Sequence, residues 1–436
     1  MNVKNVSDFF KNELTDFSSY STLRMLGSAI DSFKNSQRKI IWTALNKLNS
    51  EIKVSQFDSR MQEYTQYLHG SASNVVQNMA KSYVGSNNLP LLKGHGNFGS
   101  RFINEPAAPR YTYVSNQKHT SKIFDIRDVL IEQNFEGDLI EPKFLVPTVP
   151  LLLINGSMDC LASGFKQHIL PRNIKELLLY YSNKKCDLTP YFKDYKGIVK
   201  QGEEPNQWTI EGKIERQGKK VFVTELPVFY EYQKYLKILD DLVDSKKIRD
   251  YIDHSDTKKQ TYLFEIKLFN DLPDEKLLEL LKLQSREFEI YNAIDENNRV
   301  RTFENVKEIL DYFKEIRLKY IELQRIHDLN ELDKNLKILN SKYKFILMII
   351  QNELKIFKRP KEDVKSDLRK TDLEVNDDYE YLLRMPVHSF TKETLEILKN
   401  QIQDVQVKIK ELKEQNNEDK FLNDFKNTIR EIELDK

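Results

Sequence analysis

The strongest constraint on how this chain can fold lies toward its C-terminal end. Leu329, Leu332, Leu336, Leu339, Tyr343, Ile346, Ile350, Leu354 and Phe357 follow one another at spacings of 3, 4, 3, 4, 3, 4, 4 and 3. An α-helix turns once per ~3.6 residues, so this spacing lines one apolar seam along a single long helix with charged flanks. Pro360 is expected to stop it. A second seam runs Leu398, Ile402, Val405, Ile409, Leu412. Two seams separated by a non-coil stretch predict antiparallel helices that fold back on each other. Two readings stand here: a plain helical hairpin, or an arm that carries a dimer contact.

The remaining sequence does not continue this pattern. At 436 residues the chain is too long for one core and should divide into two or three domains. Residues 1–20 predict a short helix carrying Phe9, Phe10, Leu14 and Phe17. Leu23 to Leu48 has helical spacing, broken at Asp31-Ser32-Phe33-Lys34-Asn35-Ser36, with a second helix expected over Gln37 to Leu48. Two helices joined by a short turn fit a helix-turn-helix module. Thr65 to Val84 reads as helix, Gly85 to Asn104 as a Gly- and Asn-rich loop, and Arg110 to Ser115 alternates like a strand. Helices, a loop and short strands in that order describe a winged helix. Phe144-Leu145-Val146 and Leu151-Leu152-Leu153-Ile154 read as buried strands set apart by Pro147 and Pro150. Sheet is expected at Trp208-Thr209-Ile210, Val221 to Thr224 and Thr261 to Leu268, with a helix over Tyr230 to Val243. From Glu275 onward the pattern reads as helical to the end.

Formal net charge is +1, so no whole-chain basic excess points to nucleic acid. A local patch remains: Lys93 to Ile123 holds five basic residues (Lys93, Arg101, Arg110, Lys118, Lys122) against one acid, Glu105. It is either a nucleic-acid site or chance clustering on a solvated surface. The two cysteines, Cys160 and Cys186, supply neither a zinc ligand set nor a disulfide framework, and fit a reducing, cytoplasmic setting. The longest apolar run, Val149 to Ile154, is far too short to span a bilayer, so no membrane role is expected.

Within that patch, Pro109-Arg110-Tyr111 follows a glycine-punctuated loop. A phenol is a poor nucleophile near neutral pH unless activated, and phosphoryl transfer to it needs cationic help at the equatorial oxygens. Arg110 could donate a forked pair of hydrogen bonds to a phosphate. On a strand the two side chains would point to opposite faces, so they share a phosphate only if the backbone twists or a loop carries them. With 21 tyrosines in the chain, the dipeptide alone reads as structural by default. His69 could sit beside a reacting phosphate or be a surface group. Arg38 and Lys39 could grip DNA phosphates or line a solvated helix face. There is no G-x-x-x-x-G-K-[ST] loop for a nucleotide and no D-x-D pair for magnesium.

Several segments carry a family resemblance. Asp31-Ser32-Phe33-Lys34-Asn35-Ser36-Gln37-Arg38-Lys39-Ile40 resembles a D-G-L-K-P-G-Q-R-K-hydrophobic motif, departing at Ser32, Asn35 and Ser36. Tyr67-Leu68-His69-Gly70 resembles Y-H-H-G, followed by a helix about two residues short. Val84 to Leu92 is similar to V-G-S-N-N-x-x-L-L, Gly96 to Arg101 to G-x-F-G-x-R, and Pro109-Arg110-Tyr111 to P-R-Y. Glu141 to Pro147, Pro150 to Gly156, Thr224 to Pro227 and Tyr379 to Pro386 continue the match in collinear order. Together they resemble the breakage–rejoining core of type IIA DNA topoisomerases, over nearly the whole chain.

The resemblance implies an α+β multidomain fold: a winged-helix DNA-binding domain, a mixed α/β tower domain, and a long antiparallel coiled-coil arm with a helical dimerisation end. The expected boundaries are 1–22 for an N-terminal helix, 23–145 for the winged helix, 146–272 for the tower, and 273–436 for the arm and dimerisation region. It implies that Tyr111 attacks DNA and holds the 5′ phosphate, that Arg110 stabilises the pentavalent phosphorus, and that His69 and Arg38 contact the scissile region. Lys34, Lys39 and Arg101 are the expected DNA contacts. Family members wedge an apolar side chain between bases. Asn155 to Gly164 is about one residue longer than expected there, with Leu161 the better fit and Cys160 the alternative. Magnesium and ATP are expected on a partner, a large subunit with ATPase and metal-binding modules, leaving no metal site in this chain. The chain is expected to act on double-stranded DNA as a homodimer within a hetero-oligomer, relaxing supercoils rather than introducing them. A non-catalytic winged-helix DNA-binding dimerisation protein is the competing reading.

Overall fold

The computed structural model describes residues 6–217, 220–356, 358–371, 373 and 379–434. The chain forms two compact units. One holds everything up to Arg317 together with Phe421 onward, and the other is Leu318–Lys420. No helix of the described residues is long and apolar enough to cross a membrane.

In the first unit, helices Val6–Lys11 and Glu13–Met25 precede helix Asn35–Lys47. The expected helix from Leu23 to the polar break is corrected: the preceding helix ends at Met25, residues 26–34 are non-helical, and the next helix starts at Asn35, two residues earlier than expected. Gln37 accepts the Lys34 backbone N–H at 2.9 Å, which satisfies a group that the first turn leaves unpaired. Ile40, Ile41 and Ala44 are buried, one face of the helix. Helices Val54–Tyr64 and Ser73–Ala80 follow. The expected helix over Thr65 to Val84 is thus shorter, because Asp58 draws Ser71, Ala72 and Ser73 into a capping turn. A three-stranded antiparallel sheet of Ile52–Lys53, Tyr113–Asn116 and Leu92–His95, with Tyr113–Asn116 central, completes the winged helix.

Two of the strand expectations are corrected. Leu151-Leu152-Leu153-Ile154 lies in a short helix, Leu151–Asn155, with all four side chains buried. A continuous apolar run has no period by which to tell strand from helix. Phe144-Leu145-Val146 is irregular, and the Leu145 N–H donates to Asp31 Oδ2 at 2.9 Å instead of to a strand. Ser157–Leu161 and Lys166–Ile169 pair as a hairpin whose register slips between Ser157 and Cys160.

Farther along lie two more sheets. One is four-stranded, in the order Lys213–Gln217, Lys220–Glu225, Phe264–Lys267, Asp250–Asp253; the other joins Gln284–Phe288, Gln207–Glu211 and Ile198–Gln201. Helix Tyr232–Asp244 packs its buried Tyr235, Leu239 and Leu242 against Val221, Val223 and Phe264. The expectation of helix from Glu275 onward is corrected too. Strands Gln284–Phe288, Asn292–Ile294 and Val300–Thr302 come before the long helix Val306–Ile350.

In the second unit, Leu318–Lys420, the first seam buries Ile346 and leaves Leu329, Leu332, Leu336, Leu339, Tyr343 and Ile350 half-buried. On Lys392–Glu414 the seam residues Leu398, Val405 and Ile409 are buried. Arg325 Nη1 donates to Leu412 O at 3.4 Å, while the Phe345 and Phe390 rings sit 6.0 Å apart. Low numbers on one helix meet high numbers on the other, so they run antiparallel. The first seam does not reach Pro360. The helix stops at Ile350 and the chain turns through Asn352 at φ 61°, placing Leu354 in a cluster with Phe345, Val364, Leu368 and Leu382. Phe357 lies outside the described residues.

Candidate active site

Arg110 and Tyr111 sit in a tight turn immediately before the central strand of the wing, not on the strand itself. The Tyr111 N–H donates to Ala108 O at 2.8 Å and closes the turn. Ser55 N–H reaches Pro109 O at 3.4 Å and Val54 N–H reaches Thr112 O at 3.0 Å, so both limbs are tied to the start of helix Val54–Tyr64. The turn removes the alternation that would have separated the two side chains. The Arg110 guanidinium carbon lies 4.9 Å from the Tyr111 ring centroid. Tyr111 is 65% exposed, and its hydroxyl has no hydrogen-bond partner among the described residues. A ring in solvent with a cation at its side is a geometry in which a phosphodiester can reach the phenol oxygen and the guanidinium together.

The loop leading to the turn is folded tightly. Gly99 has φ 85°, and a Cβ there would lie 2.6 Å from Asn104 O, so only glycine fits this approach. Beneath the turn, buried Gln77 Nε2 donates to Ala107 O at 2.7 Å and to Thr112 Oγ1 at 3.0 Å.

The other expected site residues separate into exposed and sequestered groups. His69 is exposed. Its Nε2 lies 3.0 Å from Tyr20 Oη, and its ring meets Tyr67 edge-on at 5.5 Å, so its partners come from helix Glu13–Met25 and from its own loop rather than from the tyrosine turn. Asp58 fixes the chain just after it. Burial pushes the Asp58 carboxyl up, but hydrogen bonds from Ser71, Gln62, Ser73 and Ala72 outweigh this and hold it below the usual carboxylate range. Lys34 is half-buried on the wall of a polar groove of about 430 Å³, shared with Gln37, Lys81, Asn87, Ser157 and Met158. That groove connects the start of helix Asn35–Lys47 to the base of the Ser157–Leu161 hairpin.

Arg38 is pinned rather than free. Its Nε and Nη2 donate to Asp31 at 2.7 and 3.1 Å and Nη2 also reaches Phe33 O at 3.1 Å. Burial opposes its charge, but Asp31 outweighs that and raises the guanidinium above its ordinary value. The expectation that Lys39 and Arg101 grip DNA is corrected. Lys39 Nζ is buried against Glu141 Oε2 at 2.8 Å and Thr65 O at 2.6 Å. Arg101 is buried against Glu225 and Leu226 O, its guanidinium carbon 4.9 Å from the Tyr262 ring centroid. A buried cation stays charged only where its charge is met locally, so neither is available to a phosphate.

The two wedge candidates differ in exposure. Leu161 is 62% exposed at the end of its strand, whereas Cys160 is 2% exposed and packs with Leu26 and Ile294. Between Ser157 and Cys160 this strand carries one residue more than the strand it pairs with, a bulge with Asp159 at φ 53°. His168 on the partner strand braces it, Nδ1 lying 3.2 Å from Asp159 Oδ1 and Nε2 3.4 Å from Glu287 Oε2. Sequence reasoning missed Gln77, Asp58 and His168, and nothing in the local sequence marks them out from other polar residues.

The residues by the turn do not suit magnesium. The groove beside it is lined by Asn74, Asn78, Lys81, Asn104 and Glu105, a single carboxylate near a cation, whereas Mg²⁺ takes an octahedral oxygen set.

A family model for the A subunit of DNA gyrase/topoisomerase IV matches residues 24–430. The chain belongs to that family. Among curated relatives, the mitochondrial DNA topoisomerase 2 of Dictyostelium discoideum is 30% identical over 91% of this chain and 33% of its own length. The DNA topoisomerase 2 of Invertebrate iridescent virus 6 is 29% identical over 92% of this chain and 37% of its own length. The chain thus spans about a third of the length of the curated relatives it matches. A solved Plasmodium falciparum structure, of the topoisomerase II DNA-binding, cleavage and re-ligation domain, superposes with a TM-score of 0.85 at 29% identity, covering 98% of this chain and 64% of that one. In this member of the gyrase/topoisomerase IV family, Ser32 stands at φ 71°, a left-handed conformation that explains why glycine is usual there.

Proposed function

We propose that this chain is the DNA-cleaving part of an ATP-dependent type II DNA topoisomerase, with Tyr111 as its nucleophile. The observation that carries the reading is the exposed phenol of Tyr111 beside the Arg110 guanidinium on one rigid turn. In the reaction the Tyr111 oxygen attacks phosphorus, the P–O3′ bond breaks, and the phenol proton is transferred, directly or through solvent, to the departing 3′ oxygen. A 5′-phosphotyrosine and a free 3′ hydroxyl result, and the reverse step reseals the strand. Arg110 would meet the charge that grows on the equatorial oxygens. His69 and Arg38 would contact the scissile region. For Arg38, the contact would require one guanidinium edge to face DNA while Asp31 holds the other. Lys34 would take backbone phosphate in its groove, and Leu161 would unstack a base step.

Two copies would each cut one strand, and the antiparallel helices of Leu318–Lys420 would carry a second dimer contact. Magnesium and ATP would come from a large partner protein, a reading that the single carboxylate in the groove by the turn favours. The collinear motifs favour the finer reading that the chain corresponds to the medium subunit of a T-even phage enzyme.

The test is trapping. The chain is mixed with its partner, magnesium and end-labelled duplex, then denatured with detergent. A covalent adduct at 5′ ends that maps to Tyr111 and is lost in Tyr111→Phe is the expected result. Intact DNA binding with no adduct, partner and metal being present, would leave a non-catalytic DNA-binding dimer.

A further inference from the structure

We propose that Gln77 is a positioning residue that sets the Tyr111 turn for reaction, an inference that rests on Tyr111 being the nucleophile. Gln77 lies on helix Ser73–Ala80 and is 1% exposed. Its amide nitrogen has two hydrogens, and each goes to one limb of the turn: Ala107 O at 2.7 Å before it and Thr112 Oγ1 at 3.0 Å after it. Thr112 is fully buried, and Ala107 N–H is itself tied to Asn97 O at 3.0 Å. The four residues between these anchors, Ala108 to Tyr111, are closed by the single Tyr111 N–H to Ala108 O bond. Backbone bonds from Val54 and Ser55 tie the turn to the next helix, and Gln77 is the one side chain that bridges both of its limbs.

The residue type is informative. Both anchors are acceptors at the points of contact, so the clamp needs two donors from one atom. A buried lysine would supply them only with a charge to be met, and no acid takes part in these contacts. A glutamine supplies both without charge. Gln77 is 1% exposed and its hydrogen bonds go to Ala107 and Thr112 rather than to Tyr111, so it acts on the reaction through where it holds the turn. A misplacement of ~1 Å in reacting atoms costs about 100-fold in rate.

The experiment uses the holoenzyme with Gln77→Met, which keeps the length and removes both donors, and Gln77→Glu, which sets a carboxylate against the Ala107 carbonyl until protonated and leaves only the Thr112 hydroxyl able to turn and donate to it. Single-turnover cleavage, DNA affinity and hydrogen exchange of the peptide containing Tyr111 are measured on each, alongside thermal melting. For folded Gln77→Met we expect cleavage roughly 10- to 100-fold slower, DNA affinity within about twofold, and faster exchange at the turn. Gln77→Glu should regain cleavage as pH falls, because protonation restores one donor, while Gln77→Met shows no such recovery. Cleavage within twofold of wild type in folded Gln77→Met, or unchanged exchange at the turn, would overturn the proposal. An equal loss of DNA affinity and cleavage would also overturn it. If the wild type forms no adduct at all, the Tyr111 reading falls, and the exchange rates alone then decide whether Gln77 clamps the turn.

Discussion

Replacing Lys39 with methionine separates a structural cation from a DNA-gripping one. Lys39 Nζ sits 2.8 Å from Glu141 Oε2 and 2.6 Å from Thr65 O, and both charged side chains are buried. Removing one member of such a pair strands the other and costs about 3–5 kcal/mol. Glu141 has an escape, since burial already pushes its carboxyl above the ordinary value even with Lys39 and Arg38 opposing. In Lys39→Met that opposition weakens, the carboxyl rises further, and proton uptake trims the cost toward the lower figure. At ~2 °C per kcal/mol for a unit of this size, the melting transition should fall by roughly 6 °C near neutral pH. The sign of the pH dependence follows from linkage. A folded pKa above the unfolded one means the folded state holds more protons, so its contribution is intact below the unfolded value and is lost as pH rises through the folded value. The variant should therefore recover as pH falls through the raised folded value of Glu141 toward the ordinary carboxylate range, more than the wild type does. Lys39→Met with Glu141→Leu should restore most of the loss, because no charge is left buried. Melting curves across pH and DNA affinity across salt are the assays. An unchanged melting transition, with the salt slope of DNA binding lowered by about one, would refute this reasoning and return Lys39 to the DNA surface.

Leu161→Ala should weaken DNA bending, read by fluorescence transfer across a labelled duplex, by ~2 kcal/mol or about 30-fold for the three carbons lost, with melting unchanged. Cys160→Ser should do the reverse, lowering the melting transition and sparing bending, because that sulfur is buried. Asp58→Asn should cost about 1–3 kcal/mol near neutral pH, since its oxygens accept four hydrogen bonds. Its lowered folded pKa adds stability above the unfolded carboxylate value that is lost as pH falls through the folded one, so wild type and variant should converge in acid melts. Ser32→Gly should stabilise by ~0.5–1 kcal/mol in denaturant titrations, the left-handed strain relieved less the chain entropy of glycine.

What the sequence revealed was what has a period or a motif. The seams over Leu329–Ile350 and Leu398–Leu412 specified helices because their spacing admits no other element, and the pieces of the winged helix came in recognisable order. The run Leu151–Ile154 was misread because burial on every side erases period. The extent of the seam was overestimated because a heptad can be counted through a turn such as Gln351–Leu354 that breaks the helix. Within the site, Arg110 and Tyr111 were legible as types, but whether they could cooperate depended on a turn that alternation alone argued against. Lys34 and Lys39 are five residues apart in one motif, yet one lines a groove and the other is buried. What separates them is Glu141, 102 residues from Lys39 along the chain, and no local pattern shows it.

The bulge at Met158 and Asp159 decides how positions along this hairpin keep step with each other. Gly156 has φ 72° and opens the hairpin under Ile169 O, so the strand's origin is fixed. Beyond the slip, Cys160 pairs with Gln167 and Leu161 with Lys166, so the far end is fixed as well. An additional residue is taken up between these two anchors, and the tip keeps its registration with the returning strand. Positions counted inward from the hairpin's crown therefore keep step with the returning strand, whereas positions counted forward from Asn155-Gly156 cross the bulge and fall out of step by one.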